Sequence, residues 1–191
     1  MTLSNTDTID LGSLFEPAGV VVAGASSHPG KFGFAVLHNI ITCGYQGRVF
    51  ATNRNGGNLL GIECLTSVAQ VPAGQADLVY VCVPAAAVAQ VLRDAASVGI
   101  RAAFIASSGF GEGHDGEGAA HGAELAALAD ELGMVIAGPN GQGLVSTPVS
   151  LCAQFVGPFP PAGGVSIVSQ SGNLASGAMN YATASGVGVA R

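Results

Sequence analysis

Val20-Val21-Val22-Ala23-Gly24-Ala25-Ser26-Ser27-His28-Pro29-Gly30 decides how this chain is read. An apolar β-branched run enters a turn of small residues, and a helix pattern follows over Lys31–Cys43, closed by Gly44. In parallel α/β domains such a turn brings backbone N–H groups close to an anion, and the following helix N-terminus adds partial positive charge. The stretch therefore predicts a phosphate-bearing ligand near residues 24–33. A tight structural turn is the competing reading, since short βα turns are often Gly-rich without a ligand.

Working outward, the same alternation repeats. Arg48–Thr52 reads as a second strand and Asp77–Val83 as a near-continuous β run covered on both faces. Pro84 is expected in the first turn of the next helix, where Val88, Val91, Leu92, Ala95 and Val98 recur at helical spacing before Gly99. Ala102–Ala106 is a further strand, Glu117–Leu132 a helix with Leu125, Leu128 and Leu132 on one face, and Met134–Ala137 the fifth strand. Strands alternating with helices predict an α/β fold, a Rossmann-like doubly wound parallel sheet with right-handed crossovers. The turns at 24–30, 53–57, 84–86, 107–111 and 138–143 should then share the carboxyl edge, where such sheets bind ligands.

Three units are expected: a ligand-binding domain over 10–156, a Pro/Gly-rich linker over 157–164, and over 165–191 the truncated start of a second α/β domain. That last unit reads as strand Val165–Val168, turn Ser169-Gln170-Ser171-Gly172, helix Asn173–Ala184 and strand Val187–Ala190.

With 9% charged residues against 49% hydrophobic ones, the 191-residue chain leaves much of its surface neutral, which predicts burial against a partner or an oligomer. The net charge of −6 and the lack of a Lys/Arg cluster argue against nucleic acid and anionic membranes. No apolar run reaches the roughly 18 residues of a membrane span, and polar Met1–Asp10 is no signal peptide. Cys43, Cys64, Cys82 and Cys152 lack metal or disulfide spacing and read as reduced thiols, which suits a cytoplasmic setting.

The first turn lacks the second glycine of the dinucleotide pattern G-x-G-x-x-G, and Ala51-Thr52-Asn53-Arg54-Asn55 lacks the acidic residue that binds a ribose 2′-hydroxyl. Arg54 instead suits a ribose phosphate, so NAD is disfavoured while NADP or another phosphorylated nucleotide stays open. Gly138-Pro139-Asn140-Gly141-Gln142-Gly143 is either a second ligand turn or a tight turn. Ser169-Gln170-Ser171-Gly172 is a further anion site, a helix N-cap at Ser171, or both. His28, His38, His114 and His121 show no metal spacing, His28 is read as a neutral contact, and no catalytic constellation is complete.

Ser13-Leu14-Phe15-Glu16-Pro17, Val22-Ala23-Gly24-Ala25-Ser26, Val83-Pro84-Ala85, Ser108-Gly109-Phe110, Gly138-Pro139-Asn140 and Ser169-Gln170-Ser171-Gly172, in this order and spacing, resemble the ADP-forming acyl-CoA synthetases of the acetate–CoA ligase type, relatives of the succinyl-CoA synthetase alpha subunit. The resemblance implies a coenzyme A-binding Rossmann-like domain followed by a flavodoxin-like one. It implies coenzyme A contacts from Ser26, Ser27, His28, Pro29 and Gly30, with Arg54 at the phosphates. Val83, Pro84 and Ala85 would line the nucleotide or pantetheine path, with Ser108, while Asn140 would stand near the thiol end. Ser169, Ser171 and Gly172 would face a phosphorylated histidine. Relatives often carry Cys where Gly141 stands. The implied reaction passes through an acyl phosphate and a phosphohistidine. It needs a histidine beyond Arg191 and an ATP-grasp region or subunit for ATP or ADP with Mg, so this chain alone is expected to bind coenzyme A without turnover. A regulatory coenzyme A-binding module, as in fusions with protein-lysine acetyltransferases, and an NADP-linked oxidoreductase are the alternatives.

Overall fold

The computed structural model describes residues 11–112, 116–156 and 158–191. His114, Asp115, Gly157 and the segment Met1–Asp10 lie outside them.

A short helix α1 (Gly12–Phe15) leads into β1 (Gly19–Ala23), α2 (Phe32–Thr42) and β2 (Arg48–Thr52). A hairpin of β3 (Gly57–Leu59) and β4 (Ile62–Leu65) follows, then β5 (Leu78–Val81), α3 (Ala85–Ser97), β6 (Ala102–Ile105), α4 (Gly116–Leu132) and β7 (Val135–Ala137). β8 (Gly143–Ser146) pairs antiparallel with β9 (Leu151–Gln154), and β10 (Ala162–Val165) and α5 (Gly172–Ser185) end the chain.

The sheet runs β3-β4-β2-β1-β5-β6-β7, all parallel except β3. Its two faces follow from the period of two along each strand. Val20 and Val22, Leu78 and Tyr80, Ala102 and Phe104 pack with Val36, Leu37 and Ile40 of α2 and with Leu144, Leu151 and Ala153 of the β8–β9 hairpin. Val21 and Ala23, Val79 and Val81, Ala103 and Ile105 pack with Val88, Leu92 and Ala95 of α3 and Leu125 and Leu128 of α4. Helices thus cover both faces, which is why β1, β5 and β6 are apolar at every position. β2 and β5 flank β1, so the chain changes direction across the sheet beside the first turn, where a crevice opens at the strand ends.

Several expectations shift. Pro84 is the N-cap of α3, not its first helical residue, with an extended ψ of 148°. The β3–β4 hairpin was not expected, because its two turn residues are Leu60 (φ 53°) and Gly61 (φ 87°) in place of a recognisable Asn-Gly pair. The strand expected at Val165–Val168 is β10, three residues earlier, and Val187–Ala190 supplies only the isolated bridges of Val189 to Ala162 and Val165. The cause is a backbone crossing: a Cβ on Gly163 would stand 2.3 Å from the Gly188 Cα, so the two chains meet where both residues are glycine. No described helix is long and apolar enough to cross a membrane.

The Tyr45 hydroxyl donates to the Pro17 carbonyl, and burial, helped by the nearby Asp77, pushes its phenol from 10.0 up to about 12. Burial first, then Cys82 and Cys152, hold Tyr80 well above its ordinary value. Both phenols therefore ionise more readily in the unfolded chain. The Tyr45 contribution is complete below pH 10 and is lost as the pH climbs toward 12, and the Tyr80 contribution is lost in the same direction. Burial likewise pushes the Cys82 and Cys152 thiols from 9.0 up to about 12, so urea midpoints should stay flat up to about pH 9 and fall above it; a midpoint unchanged between pH 9 and 12 contradicts the burial argument.

Candidate functional site

The first turn is built by close backbone contact. Gly24 takes φ 89°, and its N–H and that of Ala25 both donate to the Thr52 carbonyl, at 3.0 and 2.9 Å. Gly33, in the first turn of α2, approaches so closely that a Cβ there would lie 2.1 Å from the Gly24 carbonyl oxygen. This glycine went unused in the sequence reading; its spacing from Gly24 was the available signal. Beyond Gly24 the turn closes on itself: the His28 N–H donates to Ser26 Oγ (3.0 Å), and the Gly30 N–H donates to His28 Nδ1 (3.1 Å). Ser27, His28, Pro29 and Gly30 are exposed and Ser26 is half-buried.

Two helices start on this rim without a side-chain cap. Lys31 caps α2 and Pro84 caps α3, neither with a side-chain hydrogen bond. Among the described residues the amides of Phe32 and Gly33, and of Ala85 and Ala86, have no acceptor, so four N–H donors open α2 and α3 toward the carboxyl edge. Arg54, two residues past the end of β2, is exposed, as is Lys31, and neither has an ion-pair partner among the described residues. Lys31 is a second rim cation that the sequence reading passed over. Val83 stands beside Gly24, its Cγ1 within 3.0 Å of where a Cβ on that glycine would be.

At the next turn Ser108 is exposed, while the amides of Gly109 and Phe110 are already committed to Glu112 Oε2, both at 2.9 Å. Slight burial pushes the Glu112 carboxyl up, but the N–H groups donated to it prevail and hold it below the ordinary carboxylate range. A Cβ on Gly109 would meet Ala85 Cβ at 3.2 Å, so this turn leans on the start of α3.

The Gly138–Gly143 turn belongs to a different concavity. Its cleft of about 560 Å³ is lined by that turn, by Ser169 to Asn173, and by Phe104, Phe155 and Arg191. Asn140 and Gly141 hold the turn on β6, their N–H groups donating to the carbonyls of Ser107 (2.9 Å) and Ile105 (3.1 Å). Gln142 bridges to α5: its Nε2 donates to Ser176 Oγ, and its side chain stands where a Cβ on Gly172 would go. Ser171 caps α5 through its Oγ, which accepts from the Leu174 N–H (3.3 Å), as expected for an N-cap. Ser169 Oγ accepts from the Ser171 N–H (3.0 Å), and the amides of Gly172 and Asn173 have no acceptor among the described residues. At Gly141 a Cβ would meet the Phe104 ring at 2.5 Å; that ring, stacked on Tyr80 (centroids 5.0 Å), fills the space a side chain would need.

The candidate residues therefore fall into two groups. Ser26 to Gly30, Arg54, Val83 to Ala85 and Ser108 share the rim over β2, β1, β5 and β6. Asn140, Ser169, Ser171 and Gly172 share the cleft, which none of the rim residues lines. No group of three or more His, Cys, Asp or Glu residues that could hold a metal occurs among the described residues.

Comparison with known proteins places these features in a family. Residues 19–147 match the family model described as a CoA binding domain. The chain is 36% identical over 186 residues to the alpha subunit of an ADP-forming acetate–CoA ligase from Pyrococcus furiosus, covering 95% of this chain and 40% of that one. It is also 36% identical over 167 residues to a trans-feruloyl-CoA synthase from an unknown prokaryotic organism, covering 85% and 23%. Among solved structures, an acetyl-coenzyme A synthetase of Ca. Korarchaeum cryptofilum, in complex with phosphate and ADP, superposes with a TM-score of 0.88 at 34% identity, over 95% of this chain and 38% of that one. The chain thus spans well under half the length of each of these relatives.

Proposed function

The chain belongs to the CoA binding domain family, and from that membership we propose that it is the coenzyme A-binding portion of an ADP-forming acid–CoA ligase. The observation that carries the reading is the rim itself: four amides without an acceptor at the starts of α2 and α3, two cations without an ion-pair partner among the described residues, and a turn whose Gly24 and Gly33 pack too tightly for a side chain. Coenzyme A is strongly anionic while this chain has a net charge of −6, so its phosphates must be met mainly by oriented main-chain N–H groups. Residues 26–30, with Lys31, hold the pyrophosphate; Arg54 holds a ribose phosphate; Val83, Pro84, Ala85 and Ser108 flank the ligand beyond it.

Coenzyme A supplies the thiol that takes up the acyl group. The role of this chain is to present that thiol at the cleft, where Asn140 marks the thiol end and Ser169, Ser171 and Gly172 offer hydroxyls and α5 amides to a phosphorylated group. Residues 165–191 open a second, flavodoxin-like domain, whose exposed Val168, Leu174 and Tyr181 are the surface to be covered. The histidine that is phosphorylated, and ATP or ADP with Mg, belong to further domains or an ATP-grasp subunit, in a cytoplasmic enzyme. Relatives that share this region are named for acetate and for trans-ferulate, which fits a common coenzyme A site serving different acids.

Calorimetric titration of the 191-residue chain tests the reading: coenzyme A binds and NADPH does not, and NADPH binding without coenzyme A binding overturns it. Arg54→Ala is expected to weaken coenzyme A binding about tenfold at low salt, the scale of one charge-assisted hydrogen bond, with a smaller loss as salt screens the pair. An unchanged affinity at low salt removes Arg54 from the site.

A further inference from the structure

Phe32 is the first residue of α2, directly after Lys31 and within the group of unpaired amides, yet its side chain is 52% exposed. It is not loose. Its ring stacks on Phe155 with centroids 4.0 Å apart and planes within 12°. Phe155 follows Gln154, the last residue of β9, which pairs with Gly143 at the end of the cleft turn, and Phe155 itself lines the cleft. Asn39 Nδ2 donates to the Gln154 carbonyl (2.8 Å), tying α2 to β9 one side of the stack. The pair thus joins two places that otherwise share no residue: the anion-binding start of α2, and the cleft wall. Phe155 is half-buried against the core and Phe32, about half exposed, lies stacked on it, so the exposed part of Phe32 is an apolar surface held in place before any ligand arrives.

Resting on the reading of the rim as a coenzyme A site, we propose that the Phe32–Phe155 stack is the platform over which the pantetheine arm crosses from the α2 amides to the cleft. The chemistry of the arm fits: methylene segments bury against the ring, and its planar amides lie flat on an aromatic face. Adenine also stacks on aromatic faces, so the assignment to the arm rests on the position of the stack, between the α2 amides and the cleft wall.

The test compares coenzyme A with adenosine 3′,5′-bisphosphate, which keeps the nucleotide end and lacks the arm, on the whole 191-residue chain. In Phe32→Ala, coenzyme A affinity should fall about tenfold, the scale of losing one apolar ring contact, with the bisphosphate affinity within about twofold of the unsubstituted chain. Phe32→Tyr, which keeps the ring, should restore coenzyme A affinity. The bisphosphate also reports that the variant is folded. Equal losses for both ligands, or an unchanged coenzyme A affinity in Phe32→Ala, overturn the proposal while leaving the rim intact. Failure of the unsubstituted chain to bind coenzyme A at all overturns the underlying reading and this inference with it.

Discussion

Gly33→Val is expected to destabilise the chain by about 3 kcal/mol or more and to abolish ligand binding at the rim in the same step. The added Cβ would lie 2.1 Å from the Gly24 carbonyl oxygen, 3.0 Å from its carbon and 3.1 Å from Ala25 Cα. These are backbone atoms of the turn, and Thr52 pins that turn by accepting from both Gly24 and Ala25. Nothing flexible can yield, so α2 must lift away from β1, carrying off Val36, Leu37 and Ile40 from the sheet face they cover. Urea denaturation measures the loss. Gly30→Ala is the matched control: its Cβ meets only the exposed His28 ring, at 3.2 Å, and its backbone is not left-handed, so stability should move by no more than about 0.5 kcal/mol. A Gly33→Val chain as stable as its parent would mean that the approach of α2 to the first turn is not what holds the rim together.

Ser27→Trp should act in the opposite manner, leaving stability alone and removing coenzyme A binding. Ser27 is exposed, makes no hydrogen bond among the described residues, and sits between the two residues that close the turn, Ser26 and His28. An indole there costs the fold little, within about 0.5 kcal/mol for a surface substitution. It adds a large ring to the turn that leads into α2, and an anion held by main-chain N–H groups must come within hydrogen-bond distance, near 2.9 Å, to gain anything from them. Coenzyme A affinity should drop by about a hundredfold, a shift of roughly 3 kcal/mol, read by titration calorimetry with a thermal unfolding curve alongside. Undiminished affinity in a normally folded variant would place the ligand elsewhere.

Much of the architecture is legible in local pattern. The Val-rich β1, the β5 run and the leucine-spaced α4 announce themselves because burial on both faces, or along one helical stripe, leaves a period in the residues. Arg48–Thr52 is found with the expected bounds, and Ser171 caps α5 as its type suggests. What escaped was structure without a local mark. β8 and β9 are short and separated by a turn that carries Pro148, and their pairing depends on the sheet face they cover. The β3–β4 hairpin turns on Leu60, a residue that sterics disfavour at φ 53°, so its sequence carries no turn signature. The start of β10 is set by the meeting of Gly163 and Gly188.

Taken alone, the order of residues determined the alternation of strands and helices, the carboxyl edge as the place where binding is to be expected, and the resemblance to acyl-CoA synthetases. Those follow from propensity, period and turn chemistry, which act over a few neighbouring residues. Only the tertiary structure decided that the candidate residues divide between a rim and a separate cleft, that Glu112 already occupies two of the rim's amides, and that Phe32 reaches Phe155. The first and last of these depend on segments brought together by the winding of the sheet, while the Glu112 contact is local and depends on the exact course of one turn. The free energy of the long-range contacts comes from shape and distance across the core, and no local pattern in the chain encodes either.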